Sequence, residues 1–461
     1  MATERSDTQS LMRRLMNKIR KSVMGVLCFE EEYLFIKRQN YLDVFPGYTS
    51  FPGGKVESSD TCELPEMLRS FPSELIACLQ RELKEEISFD LFECIRRSEV
   101  LEFIELGKVI TPDFNPARFE NFYYKITLKK KPKINFDINE IKDVSWQTGR
   151  GIKTLFESND ILVVPPMLKL IEGLSKKSKY PLKLDLDYDS NQEVPVINPV
   201  SSVIQMLPMS NTFPPARRTN CFVIGDSDSS VFCIDPSPRD ESEYNKLKNT
   251  LTKFNVNKIF ITHHHPDHHE FVDQLARDLC LPIGISRDSF ERIVANFGTN
   301  YFHNIEVNFY QNGDILTKSN GEDVVIYSTP GHDEGQLSLI PRSKKWGILS
   351  DLFQSIGTVV IQPPEGDMAK YFKSLEMVIN LAPQVIFPSH GIALGGVDKL
   401  VSTLSHRKMR EKQVLELYNE NKTEHEMLDV IYQELDPRLH SYAMKTIHAH
   451  LFKLRKEGKI S

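Results

Sequence analysis

The chain alternates short apolar runs with segments in which apolar residues recur every three or four positions. Residues 22–29 and 33–37 predict a β-hairpin, and residues 73–86 predict an amphipathic helix after it. Further along the chain, short apolar strands alternate with helical patterns at residues 241–254 and 370–381. Strands that alternate with helices predict layered α/β domains.

The pattern becomes helical from residue 401 onwards. One helix is predicted from Ser405 to Asn421. A second begins at Thr423, because Thr423 and Glu426 have the spacing of a capping box. A third is predicted from apolar residues at helical spacing, namely Met444, Ile447, Leu451 and Leu454.

A chain of 461 residues is too long for one core, so several domains are expected. A Lys-, Ser-, Pro- and Asp-rich stretch indicates a linker. The predicted segments are a basic N-terminal segment at 1–20, a first α/β domain at 21–174, the linker at 175–198, a second α/β domain at 199–400 and the helical domain at 401–461.

Composition and charge narrow the class of protein. Hydrophobic residues make up 40% and charged residues 26% of the chain, as in ordinary globular proteins. No apolar stretch approaches the roughly 18 residues of a membrane span. The net charge of −6 argues against a surface that is positive throughout, although a local basic patch for nucleic acid remains open.

The seven cysteines are odd in number and lack C-x-x-C spacing, which predicts a reducing compartment. The N-terminus is basic but has no apolar segment of the secretory kind. We therefore expect a cytoplasmic protein. Arg13, Arg14 and Lys18 also fit a transit peptide for the mitochondrial matrix, or a short basic helix.

The most informative segment follows an apolar, β-rich stretch and holds five of the thirteen histidines. His263 and His265, two apart, can point the same way from an extended chain. Asp267 and His268 follow in a turn and can face a second ion about 3.5–4 Å away. The pattern predicts two adjacent metal ions, and a histidine-rich surface loop is the alternative.

Three more metal-binding side chains each follow an apolar run: His332 in Pro-Gly-His, Asp351, and His390 in Pro-Ser-His-Gly. Together with the histidine run, these motifs occur in the order of the metallo-β-lactamase superfamily, which this part of the chain closely resembles.

The resemblance implies an αββα sandwich that binds two Zn²⁺ ions. By that resemblance one zinc has the ligands His263, His265 and His332, the other has Asp267, His268 and His390, and Asp351 bridges them. Asp235 fits the supporting aspartate of the superfamily. His264 and His269 have no assigned role.

Two zinc ions lower the pKa of a shared water towards neutrality and polarise the oxygen under attack. Asp267 is the candidate to orient that water and accept its proton. Three positions depart from the superfamily pattern without removing a ligand. Glu270-Phe271 stand where a glycine pair is usual, Ser350 precedes the bridging aspartate, and Ser389 replaces the glycine before His390.

The first domain carries three carboxylates on one face of its predicted helix. Glu82, Glu85 and Glu86 lie at i, i+3 and i+4, after the turn Gly53-Gly54. Mg²⁺ or Mn²⁺ would offset their mutual repulsion and could bridge to a diphosphate. A solvated acidic helix face is the alternative.

Gly54, Arg81-Glu82 and Glu85-Glu86 reproduce the Nudix box in order, so this domain resembles a Nudix hydrolase of α/β/α fold. Gly54 and Arg81 are further apart than in the usual box, and Ser88 occupies the position of its second glycine. The residues at 110–112, 118–119 and 165–166 resemble the branch that acts on coenzyme A diphosphates. The resemblance implies a divalent cation on the three glutamates and a nucleoside or coenzyme A diphosphate at Gly53 and Gly54.

The C-terminal block resembles the winged-helix tail of the endoribonuclease β-lactamase-like protein 2 group, which shares an S-H-R-x-x-R-E segment with residues 405–411. Residues 438–461 contain six Lys/Arg and one Asp/Glu. Lys453, Arg455 and Lys456 are the candidate phosphate contacts. A solvated face that covers the metal domain is the alternative.

These observations predict a multidomain α/β and α+β enzyme. The leading hypothesis is a binuclear-zinc hydrolase of single-stranded RNA, fused to a Nudix diphosphatase. The alternative is a hydrolase of small thioesters, with the Nudix-like domain as a non-catalytic binding module. Lactam hydrolysis is disfavoured because no secretory signal is predicted.

Overall fold

The computed structural model describes residues 19–461 except 113, 114, 116, 117, 177, 215, 356, 437 and 438. The predictions for Arg13, Arg14 and Lys18 therefore lie outside the described residues. The chain forms two compact units, with the boundary between Asp187 and Tyr188.

The first unit contains one mixed sheet and its flanking helices. The strands are β1 (Arg20–Phe29), β2 (Glu32–Arg38), β3 (Thr49–Ser50), β4 (Gly53–Lys55), β5 (Val100–Ile110), β6 (Phe119–Leu128) and β7 (Ile141–Thr148). The helices are α1 (Ser73–Ile87), α2 (Leu91–Arg96), α3 (Gly149–Glu157) and α4 (Pro165–Lys176). The predicted hairpin and amphipathic helix correspond to β1–β2 and α1.

The sheet has the strand order β3-β2-β1-β6-β5, with β4 paired to β1 and β7 paired to β2. Strands β1 and β6 are parallel. Helix α1 buries Leu75, Leu79 and Leu83, spaced four apart, against one face of the sheet. Helices α3 and α4 pack Ile152 and Leu170 on the other face. The unit therefore has the α/β/α layers predicted for it.

The segment predicted as a linker is packed at both ends. Leu182 donates its backbone N–H to Leu106 O at 2.7 Å, and Leu184 is buried in the first unit. Val194 is buried in the core of the second unit. The polar composition of this segment did not predict these contacts, because only a few apolar residues make them.

The second unit contains two sheets. The first has the order β14-β13-β12-β11-β10-β9-β8 and the second the order β15-β16-β17-β18-β19-β20. The strands of the first sheet are β8 (Val196–Val200), β9 (Val203–Met206), β10 (Cys221–Ile224), β11 (Phe232–Ile234), β12 (Lys258–Phe260), β13 (Ile283–Ile285) and β14 (Val307–Phe309). Those of the second are β15 (Ile315–Ser319), β16 (Glu322–Ser328), β17 (Leu337–Pro341), β18 (Gly347–Ile348), β19 (Val385–Phe387) and β20 (Leu394–Gly395).

Helices cover the outer faces of both sheets. They are α5 (Glu241–Leu251), α7 (Val272–Leu279), α8 (Arg287–Phe297) and α9 (Met368–Leu381), whereas the short helix α6 (Pro266–His269) lies in the loop after β12. Helices α5, α7 and α8 share one core with the first sheet, and α9 shares another with the second. Between the sheets, the rings of Phe222 and Phe387 lie 5.6 Å apart. This is the predicted αββα sandwich.

Three helices complete the second unit: α10 (Asp398–Asn419), α11 (Glu424–Ile431) and α12 (His440–Lys456). Thr423 and Glu426 form the predicted capping box. Helix α10 starts before the predicted boundary at 400–401 and contributes to two cores, through Leu400 to the sandwich and through Val414 to the C-terminal helices. None of the described helices has the length and apolarity of a membrane span.

Two glycines with positive φ provide a test of the packing beside Pro-Gly-His. Gly331 has φ 136°, and a Cβ there would overlap the backbone of Tyr371. Gly321 has φ 78° in the β15–β16 turn, with open space around a Cβ. Gly321→Ala should cost about 1–2 kcal/mol from its backbone conformation alone. Gly331→Ala should cost roughly 1–3 kcal/mol more from overpacking. Thermal unfolding of the two variants checks this, and equal losses would contradict it.

Candidate metal centre

Asp235 anchors the loop that carries the histidine run. Because β11 and β12 are parallel neighbours, Asp235 lies beside Thr262. Thr262 donates its backbone N–H to Asp235 Oδ1 at 2.8 Å and its hydroxyl to Oδ2 at 2.7 Å. His268 Nδ1 lies 2.9 Å from the same Oδ2. One buried carboxylate therefore fixes both ends of the loop.

Three imidazoles converge on one side of the centre. Nε2 of His263 and Nε2 of His332 lie 3.0 Å and 2.9 Å from Nδ1 of His265. The opposite nitrogen of His332 donates to Val360 O at 2.9 Å. That bond leaves the Nε2 lone pair of His332 free to bind a cation.

Asp267, His268 and His390 form a second group. His390 Nε2 lies 3.4 Å from Asp267 Oδ2, and His268 Nε2 lies 3.9 Å from Asp267 Oδ1. His390 Nδ1 donates to Arg218 O at 3.0 Å, so its Nε2 also faces inwards. The Thr212 hydroxyl lies 3.5 Å from this Nε2.

Asp351 lies between the two groups. Its Oδ2 is 3.5 Å from His332 Nε2 and 3.7 Å from His268 Nε2, while its Oδ1 is 3.5 Å from His390 Nε2. Among the described residues, Asp351 Oδ1 and His268 Nε2 are buried without a hydrogen-bond partner. Buried ligand atoms that nothing else satisfies are what a metal site requires.

The electrostatics of the centre depend on burial and on the imidazoles. Burial lowers the pKa of His263, and it lowers the pKa of His332 to about 4. For Asp351 burial acts upwards, but His390 and His268 together hold the carboxyl pKa well below its usual range. Burial opposes protonation of His268 and His390, but the neighbouring carboxylates raise the pKa of both. Metal ions bind neutral imidazoles and ionised carboxylates, so an ion would displace any proton on these two rings.

The structure gives contacts to both histidines without an assigned role. His264 Nδ1 lies 2.5 Å from Asp333 Oδ2, and its Nε2 contacts Glu365. Burial opposes protonation, but these carboxylates raise the pKa of His264 to about 9. Its positive charge holds Glu365 Oε2 3.6 Å from His265 Nε2. His269 Nε2 binds the backbone O of His264 at 2.9 Å.

Sequence reasoning missed Asp333, Glu365 and Thr212. Asp333 directly follows His332, and this position could have indicated it as a site residue. Glu365 and Thr212 belong to no motif. Together with His264 and His265, Asp333 and Glu365 bring their ligand atoms within 4.8 Å of one another.

Two of the three departures from the superfamily pattern stand at strained positions. Phe271 has φ 61° and Ser350 has φ 51°, where glycine would be unstrained. The Ser350 hydroxyl lies 3.2 Å from His263 Nδ1 and 2.8 Å from the Thr262 hydroxyl. A serine at this position therefore helps to orient the His263 ring, which glycine could not do.

In the first unit the three glutamates differ in their surroundings. Glu86 is buried and accepts the Gly53 N–H at 2.7 Å. Glu82 is 2.8 Å from Arg81 Nη1 and lies against Gly54. Glu85 is largely exposed and pairs with the same Arg81 nitrogen at 3.2 Å. Among the described residues, the three carboxylates do not approach one another closely enough to form one ligand set.

Burial raises the pKa of Glu82 and raises that of Glu86 to about 8. The Gly53 N–H opposes the rise at Glu86, while the nearby Glu82 and Glu140 carboxylates add to it. Arg81 also pairs with the buried Asp60 at 2.9 Å, and this pair connects α1 to the segment after β4.

The basic residues of α12 are not equivalent. Lys453, predicted as a phosphate contact, is buried and lies 2.7 Å from Glu411 and 2.9 Å from Glu457. It is therefore unavailable to a phosphate, which corrects that prediction. Lys456 pairs with Asp367 at 3.0 Å but remains exposed, and Arg455 is exposed.

Comparison with known proteins gives three family matches. Residues 214–390 match the metallo-beta-lactamase superfamily, residues 423–461 match the beta-lactamase associated winged helix domain, and residues 18–157 match the NUDIX domain.

Two relatives carry the name Beta-lactamase-like protein 2 homolog. The protein from Drosophila melanogaster is 29% identical over 276 residues, which cover 56% of this chain and 90% of the relative. The protein from Caenorhabditis elegans is 25% identical over 255 residues, covering 53% and 81%. A solved beta-lactamase domain protein from Burkholderia ambifaria is 17% identical, covers 60% of this chain and 91% of that chain, and has a TM-score of 0.49.

The family matches agree with the layered folds and with the resemblances of the sequence motifs. The coenzyme A branch of the Nudix family is not distinguished by them. The chain is thus a hydrolase that joins an N-terminal NUDIX domain to a metallo-beta-lactamase domain and its associated winged helix domain.

Proposed function

We propose that the metallo-beta-lactamase domain is a two-zinc hydrolase that cleaves phosphodiester bonds of single-stranded RNA. The observation that carries the two-metal part is Asp351, a buried carboxylate within 3.7 Å of an inward-facing imidazole nitrogen from each of the two groups. His263, His265 and His332 would hold one ion, and Asp267, His268 and His390 the other.

Two bound zinc ions would polarise the phosphoryl oxygen and lower the pKa of a water molecule. The residues of the chain supply position and proton transfer. Asp267 is the candidate to orient the attacking water and accept its proton, because its side chain is 14% exposed whereas that of Asp351 is 7% exposed. Asp235 and the carbonyls of Val360 and Arg218 keep the imidazoles oriented.

Basic side chains on the same unit favour a polyanionic substrate. Arg455 and Lys456 are exposed at the end of α12, and Lys456 pairs with Asp367 on the chain that leads from the metal centre to α9. A thioesterase that acts on a small thiol gains nothing from such charge, whereas a nuclease gains affinity from it. A hydrolase of small thioesters remains the alternative function.

Activity assays on the zinc-loaded protein separate the two functions. We expect cleavage of single-stranded RNA, with a loss of at least about 100-fold in Asp267→Asn, because the variant cannot accept the proton of the attacking water. The matched control is Asp398→Asn, at an exposed position at the start of α10. Efficient turnover of S-acylglutathione or acyl-coenzyme A without RNA cleavage would reject the nuclease and support the thioesterase.

A separate observation supports a second activity in the NUDIX domain. Glu82 and Glu86 are two neighbouring carboxylates with little exposure, and their pKa values are raised by burial. A Mg²⁺ or Mn²⁺ ion would offset their repulsion and could bind a nucleoside or coenzyme A diphosphate beside Gly53 and Gly54. Glu85 could contribute to this site only after its ion pair with Arg81 breaks. A non-catalytic binding module is the alternative.

The raised pKa of Glu86 makes cation binding dependent on pH. Below its pKa of about 8 the ion has to displace the Glu86 proton. Mn²⁺ affinity of the zinc-loaded full-length protein should therefore rise up to about tenfold per pH unit from pH 6 towards 8 and then level off. Electron paramagnetic resonance of free Mn²⁺ measures this affinity.

Glu86→Gln should abolish both Mn²⁺ binding and diphosphate turnover, while its amide oxygen can still accept the Gly53 N–H. Glu74→Gln is the matched control, because Glu74 is exposed on the same helix. Binding that is independent of pH, or unchanged in Glu86→Gln, would reject the cation site and favour the binding module.

A further inference from the structure

One side of α12 carries alternating aromatic and cationic side chains. Residues spaced three or four apart share one face of a helix, and this face carries Tyr442, Lys445, His448, Phe452 and Arg455. Helix α12 contains no Asp or Glu from His440 to Lys456. We call this set the α12 stripe.

The α12 stripe is not part of the hydrophobic core. The core of the C-terminal helices is formed by the opposite side of α12, through Ala443, Ile447, Leu451 and Leu454. Phe452 is 37% exposed. Among the described residues, Lys445 forms no ion pair with a side-chain carboxylate, and Arg455 donates its Nε–H to the backbone O of Ser461 at 3.3 Å. The lysine ammonium of Lys445 instead lies 5.5 Å from the Tyr442 ring.

The segment after β9 connects the α12 stripe to the metal centre. Thr212 contacts the inward-facing Nε2 of His390 at 3.5 Å. The next residue, Phe213, is 69% exposed, and its ring lies 6.0 Å from that of Tyr442 in an edge-to-face arrangement. An exposed aromatic side chain thus stands between the metal ligands and the start of the stripe.

A second connection runs along the segment between Asp351 and α9. Val360 O holds the metal-facing ring of His332. Two residues further on, Gln362 and Pro363 line an open cavity of about 310 Å³. Its lining also contains Glu424 and four stripe residues, namely Lys445, His448, Phe452 and Arg455. Within this lining, His448 Nε2 lies 2.7 Å from Glu424 Oε2.

We propose that Phe213 and the α12 stripe bind the single-stranded RNA that flanks the bond to be cut. The inference rests on the proposed nuclease function and names the binding surface for it. Aromatic side chains stack on bases of any sequence, and interleaved cations follow the phosphates, which is how single strands are bound without base specificity. Phe213 would stack the base nearest the metal centre, and Phe452 a base in the cavity.

The charge part of the proposal is tested by Lys445→Gln/Arg455→Gln in the zinc-loaded full-length protein. Binding of single-stranded RNA is measured by fluorescence anisotropy between low and moderate salt. Removing two phosphate contacts should weaken binding and reduce the slope of log K against log salt by about 1.4. The matched control is Lys412→Gln/Lys422→Gln, which removes one exposed lysine on α10 and one in the turn before α11 and should leave the slope unchanged.

The aromatic part is tested by Phe213→Ala and Phe452→Ala. Each should weaken RNA binding by about tenfold, because each removes a stacking partner. Cleavage of RNA at subsaturating concentration should fall about tenfold more than hydrolysis of bis(p-nitrophenyl) phosphate, which is too small to span the stripe.

The outcomes distinguish the surface from the function. If the lysine–arginine and phenylalanine variants keep the RNA affinity and the salt slope while RNA is still cleaved, the proposed binding surface is wrong. The proposed nuclease function is then unaffected. Equal losses for RNA and the small diester also overturn the binding surface, because the variants would then act through the metal centre. Absence of RNA cleavage in the unmodified protein, with thioester turnover, defeats the proposed function itself.

Discussion

The hydrogen bonds of Asp235 are the constraint on which the metal centre depends. This carboxylate is 2% exposed, and two donors from Thr262 and Nδ1 of His268 surround it. Its hydrogen bonds lie where β12 ends and the chain continues into the short helix α6. Because Nδ1 of His268 is engaged, its Nε2 faces Asp267 and Asp351. The other ligand candidates can form one site only if this loop is held in place.

Both domains bury carboxylates, but the neighbouring groups shift the pKa values of these carboxylates in opposite directions. Asp351 is surrounded by imidazoles, whose attraction overcomes burial and lowers its pKa. Glu86 has Glu82 and Glu140 nearby, so burial and repulsion together raise its pKa. In the first arrangement the carboxylates in turn raise the pKa of His268 and His390 against the effect of burial, so nearby imidazoles compensate the negative charge. In the second, a proton on Glu86 and the Arg81 guanidinium compensate it.

The sequence allowed prediction of features that depend on local order. The seven ligand candidates follow four apolar runs, and strand ends meet at one edge of a sandwich, so their convergence could be anticipated. Helix α1 was predictable from the spacing of its apolar residues. The capping box at Thr423 was predictable from two side chains three residues apart.

Features that depend on distant contacts could not be predicted in this way. The charge of Lys453 suggested exposure, but Glu411 on α10 pairs with it in the folded chain. Glu365 follows no motif, and only the fold brings it to His264. Leu182 and Leu184 lie in a polar stretch, and two side chains are too few to form a periodic pattern. Each of these requires knowledge of which elements pack together.

The two histidine groups are proposed to hold two metal ions between them. Diffraction data collected on either side of the zinc absorption edge measure this directly, because only zinc contributes to the difference. We expect two peaks about 3.5–4 Å apart, one on each side of Asp351. A single peak, or two peaks away from Asp351, would contradict it.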